Sequence, residues 1–152
     1  MRNLFKLKNQ ESQRGAAVVE FAIILPILVI LIAGIIEFSL LLYNQQVITN
    51  ASREGARASI NPINKLDFDS GNPSIESIVT AYSNDKLVTF GGTDLVNVSY
   101  QINGNTNVSF SDRDYLDNVS IIVQYEYHYL MPQIIRLGTT KNITSKTIMQ
   151  MM

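Results

Sequence analysis

Polarity almost vanishes from the chain between Ala16 and Leu42, which read AAVVEFAIILPILVILIAGIIEFSLLL with only Glu20, Glu37 and Ser39 overtly polar. At about 1.5 Å per residue this stretch makes a helix of about 40 Å, more than the ~30 Å of a bilayer's hydrocarbon core. A helix apolar on every side needs lipid or a large protein around it, and the rest of this chain is too small to surround it. The pattern predicts one transmembrane helix over 16–42. Pro26 interrupts its hydrogen bonding and should bend or loosen it, a defect that lipid-embedded helices tolerate.

Beyond the apolar run the pattern turns amphipathic. Val47, Ile48, Ala51, Gly55 and Ala58 recur at three- and four-residue intervals and predict a helical extension over 43–60, stopped at Asn61-Pro62. Pro62, Gly71 and Pro73 mark a loop. Ser74 and Ser77 then suit the cap of a second helix, from about Ile75 to Lys86, with Ile75, Ile78, Val79 and Tyr82 on one face and Gly91-Gly92 breaking it.

From Leu95 the period becomes two. Leu95, Val96, Val98, Tyr100 and Ile102 predict a strand ending at the hairpin signal Asn103-Gly104, with Val108 and Phe110 as a short return strand. Val119, Ile121, Val123, Tyr125, Tyr127 and Tyr129 alternate with Ser120, Ile122, Gln124, Glu126 and His128 in the clearest strand, ended by Pro132. Thr140 to Met149 supplies the last. Helices first and an antiparallel sheet of three or four strands after them make an α+β fold, with residues 61–152 as its small domain. The tyrosine stripe Tyr125–Tyr129 suits the core of such a sheet, or else an exposed surface for partner subunits or glycans.

Charge sets the direction. Before residue 16 stand Arg2, Lys6, Lys8 and Arg14 against Glu11, whereas the far side of the run starts YNQQVITN and carries no charge until Arg53. Positive flanks stay in the cytoplasm. Residues 1–15 are therefore a basic cytoplasmic leader, and the domain lies outside. A net charge of -1 gives no reason to expect a nucleic-acid partner. The 152 residues include no cysteine, so disulfides are excluded.

Catalytic and metal-binding patterns do not emerge. His128 is the single histidine. Asp112, Asp114 and Asp117 have the spacing of a calcium-loop fragment but lack its glycine and closing glutamate, and read as a solvated turn. We expect no enzyme, no cofactor and no metal.

Processing has two forms to weigh. A conventional signal peptide has an apolar stretch shorter than this one and a small-x-small site, which Leu31-Ile32-Ala33-Gly34 does not offer cleanly. Cleavage ahead of the run would instead leave the helix on the mature protein. Around that second site the chain reads Gln13-Arg14-Gly15-Ala16-Ala17-Val18-Val19-Glu20-Phe21. This resembles type IV prepilins, in which a peptidase cuts after a glycine and a glutamate occupies the fifth mature position. With Asn50-Ala51-Ser52-Arg53-Glu54-Gly55-Ala56-Arg57 and Glu37-Phe38 added, residues 13–60 resemble the TadE-like family, minor pseudopilins of the tight-adherence (Flp pilus) system.

The resemblance implies a pilin-like architecture, a long N-terminal helix packed on a sheet. It implies cleavage by a prepilin peptidase between Gly15 and Ala16, and assembly in which the new amine of Ala16 pairs with Glu20 of a neighbour, beside Phe21. A carboxylate at that depth is costly without a positive partner, which suits this role; an unpaired interfacial glutamate is the plainer alternative. Glu37 is read as interfacial, at the outer boundary. Arg53 and Arg57, one turn apart, form a solvated face or a partner or phospholipid contact.

The partners implied are the membrane, the prepilin peptidase, the major pilin, sister pseudopilins and the inner-membrane pilus platform, and the location is the bacterial inner membrane or the pilus itself. The other function class is an uncleaved, membrane-tethered binding module.

Overall fold

A computed structural model describes residues 2–60, 73–90, 96–112, 114–132 and 138–151, with side chains from Gly15 onward. Helix α1 runs unbroken from Arg2 to Ser59, through Pro26. The expected loop over 61–73 and the Gly91-Gly92 break fall almost wholly outside the described residues. Helix α2 spans Ile75–Asn84, two residues shorter than its pattern suggested. Its start is a reciprocal cap: Ser77 N–H donates to Ser74 Oγ at 3.1 Å, and Ser74 N–H donates to Ser77 Oγ at 2.8 Å.

Three strands, β1 (Val96–Ile102), β2 (Asn118–His128) and β3 (Thr140–Gln150), form an antiparallel sheet in the order β1-β2-β3. The fold is α+β. The central strand β2 follows its sequence alternation: Val119, Ile121, Val123, Tyr125 and Tyr127 are all buried. The tyrosines at 125 and 127 thus belong to the core. One layer of helix covers this face, with Val47, Ile48, Ala51 and Ala56 of α1 and Ile75 and Val79 of α2 in the same cluster.

The expected return strand at Val108–Phe110 does not form. Asn103 (φ 51) and Gly104 (φ 81) do make a tight turn of the anticipated kind, but only an isolated bridge between Ile102 and Asn105 follows it. β1 pairs with β2 instead, Ile102 opposite Val119. Asn103 secures that choice, donating its N–H to Asn118 O and accepting Asn118 N–H on its side chain, both at 2.9 Å. Phe110 enters a short 3-10 turn and is buried against Tyr100, ring centroids 4.9 Å apart. The strand signal at Phe110 was therefore a core signal.

Candidate functional site

Helix α1 carries the positions expected from sequence for cleavage, assembly and partner contact, in two separate groups. Gly15, Ala16, Glu20 and Phe21 lie in its N-terminal half, where every described side chain from Gly15 to Ile32 is exposed. Arg53 and Arg57 lie near its other end and are also exposed, pointing away from the buried Ser52, Ala56 and Ser59. About 50 Å of helix separates Glu20 from Arg53, so these are two sites. An extra Cβ at Gly15 would meet nothing within 4 Å. Among the described residues, none of the domain packs around the expected cleavage position.

The residues that bind α1 to the domain form a stripe: Ala33, Glu37, Asn44, Val47, Ile48, Ala51, Ser52, Ala56 and Ser59 are buried. Three- and four-residue steps keep them on one face. Glu37, only 4% exposed, is its most consequential member. Its Oε1 accepts the Tyr127 hydroxyl at 2.7 Å and the Leu130 N–H at 3.1 Å, and its Oε2 accepts the Met131 N–H at 3.1 Å. Two successive backbone N–H groups make a small anion-binding concavity. Burial and the adjacent Glu37 carboxylate push the Tyr127 phenol well above the ordinary tyrosine range, so it remains a donor. The sequence placed Glu37 at the boundary but did not reveal this grip.

Farther along, Asn44 donates to Val88 O at 2.7 Å and accepts Val88 N–H at 2.9 Å, fixing the segment after α2. Ser52 Oγ shares hydrogen bonds with Ser145 Oγ at 3.0 Å and Thr147 Oγ1 at 2.7 Å, fixing β3. Gly55 is where three elements converge: a Cβ there would lie 2.5 Å from Val79 Cγ2 and 3.3 Å from Ile121 Cγ2. Glycine is the residue that lets α2 and β2 come this close to α1. One sequence signal could have found the stripe. Polar residues at 37, 44, 52 and 59 recur every seven or eight positions, two helical turns, through an otherwise apolar or small-residue face.

The Asp112–Asp117 segment has an internal structural use. Asp117 accepts Asn103 Nδ2–H at 2.7 Å and Asp114 N–H at 2.8 Å, and these bonds hold its carboxyl below the ordinary range.

Exposure and topology together define an α+β protein built on one N-terminal helix that is long and apolar enough to cross a membrane. Residues 15–57 of that helix match the model of the TadE-like protein family. The match covers the exposed half, Glu37 and the glycine junction, and agrees with the resemblance read over 13–60. No curated protein and no solved structure matches the chain.

Proposed function

We propose that this chain is a minor pseudopilin of a tight-adherence pilus, cleaved by a prepilin peptidase after Gly15 and contributing to pilus assembly and surface adhesion. The observation that carries the reading is the family match over residues 15–57 on a helix whose side chains from Gly15 to Ile32 are all exposed. Its role is structural: α1 is inserted in the inner membrane with the domain outside, and it contacts the major pilin, sister pseudopilins and the inner-membrane platform.

The physical chemistry supports each step. Gly15 sits inside a continuous helix, and an interior glycine weakens a helix by roughly 0.5–1 kcal/mol relative to alanine. Local opening for the peptidase is easier there. Cleavage would create an amine on Ala16, one turn from the exposed Glu20. That amine is the positive partner that a carboxylate in this apolar setting requires, and a neighbouring subunit's Glu20 can receive it. Arg53 and Arg57 are exposed and free to meet a partner on the face turned from the domain.

Mass spectrometry of the membrane-extracted protein tests this. The expected mature N-terminus is Ala16, and Gly15→Ala should leave the leader attached and abolish piliation. A wild-type N-terminus at Met1 in cells with active prepilin peptidase would leave a membrane-tethered binding module as the better description. An N-terminus after Gly34 would overturn the anchor as well.

A further inference from the structure

A 30 Å hydrocarbon core needs about 20 helical residues, and counted from Ala16 this span reaches Ile35. The domain does not wait for the helix to leave that span. Ala33 is already only 4% exposed and Glu37 equally so, whereas Ile35 and Phe38, on other sides of the same turns, are 60% and 62% exposed. The corner after β2 is therefore level with apolar helix residues that face outward. Packing sets its height, because α1 continues unbroken to Ser59 and the domain packs directly on it. Three hydrogen bonds from Tyr127, Leu130 and Met131 to Glu37 fix the corner at that level.

We propose that the corner Tyr129–Pro132 sits in the headgroup region of the bilayer leaflet on the domain's side, so that the domain is seated on lipid at this corner. Tyr129, Leu130, Met131 and Pro132 carry no charge and are each half-buried, leaving apolar and aromatic surface at the depth where a bilayer favours it. The corner also solves the problem posed by Glu37. A carboxylate at the membrane boundary is costly unless its oxygens are satisfied, and here the seated corner supplies the donors. Lipid contact and the carboxylate grip are two sides of one arrangement.

The inference rests on α1 spanning the membrane, and the test separates the two. The chain has no cysteine, so single-cysteine variants can each carry one environment-sensitive fluorophore. Full-length protein in phosphatidylcholine vesicles would be labelled at Leu28→Cys, Phe38→Cys, Met131→Cys, Leu130→Cys or Thr106→Cys. Lipids bearing a spin-label quencher near the headgroup or deep in the chain report depth. Shallow quencher should extinguish the labels at positions 130 and 131 as strongly as that at 38, deep quencher should extinguish that at 28, and the label at 106 should be untouched. Labels at both corner positions that escape quenching while position 28 responds would overturn the seated corner and leave the span intact. An unquenched label at 28 would remove the span and the proposal with it.

Discussion

The two halves of α1 share one backbone and differ in what surrounds them. From Val18 to Ile32 the large side chains are all exposed, whatever their direction. From Ala33 to Ser59 one face is closed by the domain and the others are open. In that first stretch, Glu20 and Ala22 aside, the side chains are large and apolar, as suits a lipid surrounding that makes no demand for fit. In the second, the buried face holds Ala51, Ser52, Gly55, Ala56 and Ser59, with Glu37 and Asn44 each satisfied by hydrogen bonds. Close packing against protein demands small residues and paired polar groups. Lipid requires neither. The same helix is thus written in two vocabularies, and Ala33–Glu37 is where they meet.

The sharpest way to break the contrast is at the meeting point. Glu37→Ala leaves the Tyr127 hydroxyl and the Leu130 and Met131 N–H groups without their acceptor. Each such loss costs roughly 1–3 kcal/mol when buried, so the domain should lose about 3 kcal/mol or more. Urea unfolding of the domain, with α1 held in detergent micelles, would measure it. Glu37→Gln keeps an acceptor oxygen and should fall between the variant and wild type.

Gly55 comes next. Gly55→Ala places a methyl 2.5 Å from Val79 Cγ2, an overpacking that typically costs about 1–3 kcal/mol. Val79→Ala alone should also destabilise, by opening a cavity, yet in combination it should recover part of the loss. A double variant no better than the sum of the two would show that α2 is not what Gly55 accommodates. The same Gly→Ala change at Gly34, where a Cβ meets nothing within 4 Å, has no such cost within the chain.

An effect of similar size should appear at Tyr127, and it depends on pH. Its folded pKa is raised above the ordinary value of 10, so its contribution is fully present below pH 10 and is lost as pH rises through the folded value. Tyr127→Phe should cost about 1.5–3 kcal/mol at neutral pH, the worth of a hydrogen bond to a charged group. It should also flatten the alkaline decline in stability expected of wild type above pH 10. An unchanged alkaline decline in the variant would assign that decline to another tyrosine.

How much of this was open to a reader of the sequence follows from range. The apolar run, the alternation from Val119 to Tyr127, the Ser74/Ser77 cap and the Asn103-Gly104 turn are local patterns, and each appears in the structure where it was expected. Glu37 is different, because its partners lie some 90 residues away and no spacing connects them. Phe110 misled for a related reason: alternation with Val108 reports burial, and a 3-10 turn buries a phenylalanine as well as a strand does. Gly55 was legible as a member of a stripe, but the neighbours that require glycine there come from α2 and β2. The proposed cleavage and assembly residues Gly15, Ala16, Glu20 and Phe21 are the opposite case. They are carried by sequence resemblance alone, because what they are read as serving, a peptidase and another subunit, lies outside this chain.

The least effect is expected in the exposed half, and it is the control that gives the others meaning. Leu28→Ala removes as much hydrocarbon as a core truncation that would cost about 2–5 kcal/mol. Leu28, however, is exposed and touches none of the buried cluster. Its neighbours in a micelle or bilayer are the same whether the domain is folded or unfolded, so the lost contacts cancel from the unfolding equilibrium. Domain stability should stay within about 0.5 kcal/mol of wild type. If α1 instead lay in a protein core that the domain helps to complete, the same truncation would register in full. The urea midpoint of Leu28→Ala therefore distinguishes a helix half solvated by lipid from one hidden by protein, without any reference to pili.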